Sequence, residues 1–282
     1  MKIIKNRNSN YQLIDLEDGY KFEQIGNKVI KRPDANAKGV ITKKNLNDDL
    51  YAEYVGEPGK GEFIVNGEID DDWIMNHLDL NLKVKLTSYK HIGVFPEQEL
   101  HWDYVTDKIK HADRDIKVLN LFAYTGAASI NAAQAGASEV VHVEALKQLN
   151  TWAKENSELS NTSDKNIRYM QDDVLTFLKR EIKRGNKYQV IIMDPPSFGR
   201  GPNKQIWKFE DNIDELLNLC SQVLENPLAV VISTYTNGYN KQKLKSRLEK
   251  FFPAGSVDTY NMFLESSTKK TLYCGTGGVI DF

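Results

Sequence analysis

From about residue 116 onward, apolar runs of strand length alternate with segments of helical periodicity, and this rhythm constrains the fold more than any other feature of the chain. "IKVLNLFAY" is an apolar strand, "AASINAAQAGA" a small-residue helix ending at Gly136, "EVVHVEA" a strand and "LKQLNTWAKENSEL" an amphipathic helix. The pattern repeats. "IRYMQDD", "YQVIIMD" and "LAVVIST" read as strands, and "VLTFLKREIKRG", "NIDELLNLCSQVL" and "KQKLKSRLEKFF" as the helices between and after them. Near-continuous apolar strands separated by helices require a parallel sheet covered on both faces. "VDTYNMF" and "KKTLYCGTGGVI" then predict a closing hairpin at the sheet edge. The expectation is an α/β fold.

Residues 11 to 90 have a different texture, with short alternating segments broken at Glu17-Asp18-Gly19 and Ile25-Gly26-Asn27. They predict a small β-rich N-terminal region over residues 1–90. A second domain then covers 91–282, with 91–115 leading into a core at 116–282. The chain has 282 residues, 40% hydrophobic and 27% charged, with no apolar run long enough to span a membrane. "MKIIKNRNSNYQLIDLEDGYKF" lacks a secretory pattern, so a cytoplasmic protein is expected. Cys220 and Cys274 are its two cysteines, too few for a disulfide framework, and the five histidines are scattered, so no metal site is expected. A net charge of −2 gives no global pull on polyanions and leaves room for a local basic face.

In an open α/β sheet, ligands bind beyond the carboxyl ends of the strands, which here are five places. They are Tyr124-Thr125-Gly126, Glu144, Asp172-Asp173, Asp194-Pro195-Pro196-Ser197-Phe198 and Ser233-Thr234-Tyr235-Thr236. Glu144 stands 18 residues after Gly126, close to the spacing at which a carboxylate holds two vicinal ribose hydroxyls. The turn itself does not suit a pyrophosphate. A dinucleotide cradle wants three glycines, whereas Ala123, Thr125 and Ala128 occupy neighbouring places and the phosphate-loop pattern is absent. A cofactor with adenosine and no phosphate fits, and S-adenosylmethionine is such a cofactor.

Two prolines after Asp194 fix a rigid exit without backbone donors, leaving Asp194 and the flanking carbonyls as acceptors for an amino group. Phe198 could stack on a planar base. Arg200, Lys204 and Lys208, with Trp207 and Phe209 interleaved, are candidates for nucleic-acid contact. The basic helix carrying Lys241, Lys243, Lys245, Arg247 and Lys250 reads more simply as a solvated face.

"VLNLFAYTGAASINAAQAGA", "VEALKQLNTWAKEN", "QDDV" and "YQVIIMDPPSF" together resemble the class I S-adenosylmethionine-dependent methyltransferases. More narrowly they are similar to the branch holding the large-subunit ribosomal RNA cytosine-5 and guanine-N7 methyltransferases. "HIGVFPEQELHW" and "VIKRPDANA" are similar to that branch's segments before the core, so the resemblance covers nearly the whole chain. It implies a Rossmann-like, mostly parallel seven-stranded sheet and methyl transfer to RNA. It also implies that the backbone from Phe122 through Ala123, Tyr124 and Thr125 to Gly126 lines the methionine part of the cofactor. By the same resemblance Glu144 holds the ribose, Asp173 lies near the adenine amino group, and Phe95 and Gln98 belong to a lid. Asp194, Pro195, Pro196 and Phe198 become the catalytic set.

One departure from the cytosine-5 pattern is informative. Those enzymes need a cysteine thiolate to attack the pyrimidine, and in the resemblance it belongs to the fifth strand end. Here that segment reads "VVISTYTNGY". A base nitrogen is therefore the favoured acceptor. A small-molecule or protein acceptor, and a non-catalytic cofactor-binding RNA module, are the alternatives; a nicotinamide oxidoreductase is disfavoured by the missing glycines.

Overall fold

A computed structural model describes every residue except Arg7, Lys44, Pro58, Asn203 and Lys204. The chain forms two compact units: Met1–Glu99 with Met262–Cys274, and Leu100–Asn261 with Gly275–Phe282. The division falls at 99/100 instead of the 90/91 expected from sequence, and it returns a C-terminal segment to the first unit. Local sequence texture cannot show such a return, because the packing partners are far apart in the chain.

The first unit is β-rich. Its N-terminal strands are β1 (Lys2–Ile4), β2 (Tyr11–Glu17), β3 (Tyr20–Ile25), β4 (Lys28–Pro33), β5 (Leu50–Val55), β6 (Glu62–Val65), β7 (Ile74–His77) and β8 (Leu80–Lys83). β2 to β6 make a five-stranded sheet in sequence order, and β7 and β8 a two-stranded one. Gly19 and Gly26, both at positive φ, close the hairpins on either side of β3 at the turns read from sequence. Ile14, Phe22, Leu46 and Leu50 form the apolar cluster of this sheet. Within it Glu23 accepts two bonds from the Arg32 guanidinium, at 2.6 and 2.8 Å, and one from the Tyr11 hydroxyl at 2.8 Å. This buried carboxylate is fully paired, as burial of a charge requires.

The second unit carries the site. It runs through α1 (Glu99–Lys110), β9 (Lys117–Leu121), α2 (Ala127–Gln134), β10 (Glu139–Glu144), α3 (Lys147–Leu159), β11 (Ile167–Gln171), α4 (Val174–Arg184) and β12 (Tyr188–Met193). The hairpin β13 (Phe198–Arg200) and β14 (Ile206–Lys208) follows, then α5 (Phe209–Gln222), β15 (Leu224–Thr234) and α6 (Lys241–Phe251); β16 (Ser256–Glu265) and β17 (Thr271–Asp281) lie partly in this unit and partly, over Met262–Cys274, in the first. The strand order β16-β17-β15-β12-β9-β10-β11 is parallel across β15, β12, β9, β10 and β11, with β17 antiparallel to β15. With β1 the sheet has eight strands, and it is mostly parallel, as the resemblance implies. The sequence places the closing hairpin at the sheet edge; instead β1 pairs with Met262–Leu264 and takes that edge.

The chain steps from β9 to β10 and β11 on one side, then crosses back to β12 on the other. The switch point lies between β9 and β12, where the strand-end crevice of such sheets opens. Val118, Leu119, Leu121, Val141, Val143, Ile191 and Met193 are almost fully buried, as strands covered on both faces must be. The alternation legible in the sequence is thus the alternation of the fold.

Candidate active site

Strand register brings the expected residues to one level. Leu121 pairs with both Val143 and Met193, and Met193 with Ile232, so Phe122, Glu144, Asp194 and Ser233 each stand one residue beyond the same row. Neighbouring strands lie about 4.8 Å apart. Four chemically distinct side chains therefore emerge side by side. Gln171 pairs with Glu144, which places Asp172 and Asp173 just past the end of β11.

The turn after β9 is unusual in its backbone. Phe122, Tyr124 and Gly126 all have positive φ, at 56°, 53° and 92°. Two of these three are bulky L residues, a conformation that costs on the order of 1–3 kcal/mol each and persists only where surroundings enforce it. Here they do. Ala123 N–H donates to the Val143 carbonyl at 3.0 Å, Gly126 N–H to the Ala123 carbonyl at 3.1 Å, and the Asn156 amide to the Thr125 carbonyl at 2.8 Å. The decisive clamp is Glu144, whose Oε2 accepts from Tyr124 N–H at 3.0 Å and whose Oε1 accepts from Leu146 N–H at 2.9 Å.

Three amides of this turn are thus directed at protein acceptors, not outward at a phosphate. That geometry agrees with a cofactor lacking a pyrophosphate. Glu144 is buried, and burial pushes its carboxyl above the usual range while the backbone amides at Leu146, Tyr124 and Ala145 pull it back. Gly126 is required for another reason as well, since a Cβ there would stand 2.9 Å from the Ala153 Cβ of α3. Asp173 caps α4, its Oδ1 accepting from the Thr176 amide and hydroxyl at 2.9 and 2.8 Å.

The exit from β12 is built differently. Half-buried Asp194 accepts from the Ser233 hydroxyl at 2.7 Å; burial pushes its carboxyl up to about 6, and the Ser233 bond acts against that rise. Pro195 is buried, whereas Pro196, Ser197 and Phe198 are exposed. Ser197 and Thr236 hydroxyls lie 3.0 Å apart, so the fourth and fifth strand ends are joined twice. Gly275 of β17, at φ 110°, lets the backbone pass close, since a Cβ would meet the Thr234 carbonyl at 2.7 Å. Ser233 is a polar partner that sequence spacing did not single out; its place at a strand end was the available signal.

Two expectations are corrected. Trp207 and Phe209 do not offer stacking surfaces, because both are buried. Trp207 packs on the Phe122 ring, with centroids 4.7 Å apart, and donates its indole N–H to the Pro196 carbonyl at 2.6 Å. That carbonyl therefore already has a donor and is not kept for substrate alone. Alternation within the short strand β14 explains the misreading: it turns Trp207 inward and its neighbours outward. Phe198 is 54% exposed. Lys204 lies outside the described residues.

The cysteines offer no nucleophile. Cys220 is buried with its sulfur 3.6 Å from the Met193 sulfur, Cys274 is buried in β17, and burial pushes both thiols well above their usual range. On the basic helix, Arg247 and Lys250 pair with Asp214, and Lys245 with Glu249. Its charge is largely spent locally. Phe95 and Gln98 belong to the first unit, Phe95 with its ring 5.3 Å from that of His91 and Gln98 buried in the short 3-10 turn Pro96–Gln98.

A switch-point crevice, a strained turn clamped by an acidic residue and a Pro-Pro exit define a class I S-adenosylmethionine-dependent methyltransferase. A sequence-family profile described as S-adenosylmethionine-dependent methyltransferase matches residues 51–222, and the chain belongs to that family. The crystal structure of a SAM-dependent methyltransferase from Agrobacterium tumefaciens superposes with a TM-score of 0.94 at 30% identity, covering 100% of this chain and 93% of that one. Proteins called ribosomal RNA large subunit methyltransferase K/L are also similar. The one from Shewanella woodyi is 34% identical over 195 residues, 67% of this chain and 24% of its own length. The one from Shewanella sp. strain MR-4 is 32% identical over 237 residues, 76% of this chain and 31% of its own. The chain thus spans about a quarter to a third of these curated relatives.

Proposed function

We propose that this protein transfers the methyl group of S-adenosylmethionine to a nitrogen of an RNA base, in ribosomal RNA, within the cytoplasm. The observation that carries this reading is Asp194, an acceptor held at a rigid Pro-Pro exit one strand from the cofactor turn, on a chain whose two thiols are buried. The names of the ribosomal RNA methyltransferase relatives support the substrate class.

S-adenosylmethionine supplies a methyl on a sulfonium sulfur, a good leaving group that needs no general acid. The protein's task is then positioning. The Phe122–Gly126 backbone takes the methionine end, Glu144 takes the ribose, and the second oxygen of Asp173 takes the adenine amino group. Phe95 and Gln98 are assigned cofactor contacts on the family resemblance. Phe198 stacks on the target base while Asp194 accepts its N–H and turns the nitrogen lone pair toward the methyl carbon. The N–C bond forms as the C–S bond breaks, and an amino acceptor loses its proton to Asp194 or water. Catalysis of this kind rests on proximity and orientation.

A cytosine C5 acceptor would need a thiolate to activate the ring, and neither Cys220 nor Cys274 is disposed to provide one. The test is transfer of labelled methyl to ribosomal RNA from a strain lacking the gene, followed by nucleoside mapping. A methylated base nitrogen supports the reading; label on C5, or on protein alone, overturns it.

A further inference from the structure

The hairpin that leaves the Pro-Pro exit has two unlike faces. β13 and β14 pair as Phe198 with Lys208, Gly199 with Trp207 and Arg200 with Ile206. Side chains two apart along a strand share a face, so Phe198, Arg200, Ile206 and Lys208 form one face, with Trp207 on the other. The burial agrees: all four are exposed, Phe198 by 54% and Ile206 by 60%, while Trp207 is 5% exposed.

An exposed isoleucine beside an exposed phenylalanine on a short ribbon has no stabilising reason within the unit, and the two cations among them give the face its sign. Among the described residues Lys208 pairs loosely with Asp211, at 3.9 Å, both exposed. The ribbon is nevertheless firmly rooted. Trp207 fixes it to the Phe122 ring and the Pro196 carbonyl, and Phe209 N–H donates to the Ser197 carbonyl at 3.1 Å.

We propose that this outer face docks the RNA strand beside the target nucleotide. Resting on the RNA reading above, it extends that reading from the reacting base to its neighbours. Arg200 and Lys208 meet phosphates, and Ile206 packs against the base or sugar of a flanking nucleotide. A strand without its duplex partner is the class that fits, because cations interleaved with apolar surface recognise backbone and exposed base faces together. Trp207 is a positioning residue. It ties this face to the cofactor turn, so that seating the flanking nucleotide also sets the target base against Phe198 and Asp194.

The experiment uses the whole protein, labelled S-adenosylmethionine and protein-free ribosomal RNA from a strain lacking the gene. Arg200→Gln with Lys208→Gln should raise KM for RNA about tenfold and flatten its logarithmic salt dependence by about 1.4, the loss of two single-strand phosphate contacts. Affinity for S-adenosylmethionine should stay within about twofold, since neither side chain belongs to the cofactor turn. Ile206→Ser should raise KM without changing the salt slope. Wild-type transfer combined with unchanged KM and salt slope in these variants overturns the docking face alone. Failure of the wild type to methylate RNA overturns the functional reading, and the docking face with it.

Discussion

The cofactor turn and the Pro-Pro exit leave adjacent strands of one sheet, yet they are made rigid by opposite means. At the turn, strain lies in the backbone: Phe122, Tyr124 and Gly126 are left-handed, and Glu144 turns both of its oxygens toward backbone amides. At the exit, stiffness is covalent, from Pro195 and Pro196, and Asp194 carries one hydroxyl donor. The contrast follows from what each must do. On the proposed roles, a turn that binds one invariant cofactor can commit its polar groups to its own shape, and an exit that meets a substrate must keep acceptors in reserve.

That comparison predicts separable failures, the largest of them at the exit. Asp194→Ala should lower single-turnover transfer by about 10²- to 10³-fold, the usual loss when one preorganised hydrogen-bonding group is removed, with cofactor affinity nearly intact. Glu144→Ala should act first on the cofactor, weakening its binding about tenfold to a hundredfold in calorimetry, because the proposed ribose contacts and the observed Tyr124 clamp are lost together. Glu144→Gln should rescue little. Both oxygens accept from backbone amides, so an amide NH₂ must face one of those donors.

Smaller effects probe the scaffold. Gly126→Ala adds a Cβ 2.9 Å from that of Ala153 and forces a left-handed alanine, so denaturant melts should show a loss of about 1–3 kcal/mol. Ala153→Gly in that background should recover the steric part and not the backbone part. The pH dependence is finer still. Asp194 must be ionised to accept, so activity should fall as pH drops through about 6. Ser233→Ala removes the bond that holds this value down, and the acid limb should move to higher pH. For stability the sign is reversed: a carboxyl whose folded pKa is raised disfavours the fold when ionised, and that burden lifts as pH falls below about 6. Cys220→Ser and Cys274→Ser should leave transfer intact in any protein that folds.

Much of this site was legible in the chain because strand ends are written locally. The apolar runs end at Phe122, Glu144 and Asp194 in the sequence, and parallel pairing alone aligns them. What was not legible depends on partners distant in sequence. Nothing near Trp207 shows that its ring turns inward to meet Phe122, 85 positions earlier, and nothing near Asp194 points to Ser233. The left-handed Phe122 and Tyr124 were hidden for a further reason. A glycine advertises positive φ, whereas a phenylalanine or tyrosine held there by a remote carboxylate does not. The return of Met262–Cys274 to the first unit is the same kind of long-range fact.

The division of labour between turn and exit is tested most directly by a crossed measurement on Asp194→Ala and Glu144→Ala, pairing calorimetric binding of S-adenosylmethionine with single-turnover methyl transfer at saturating cofactor. The expected result is a crossing: Asp194→Ala binds the cofactor like the wild type and transfers poorly, and Glu144→Ala binds it weakly and recovers much of its transfer once saturated. Equal losses of binding and transfer in both variants would contradict separate roles for the two strand ends.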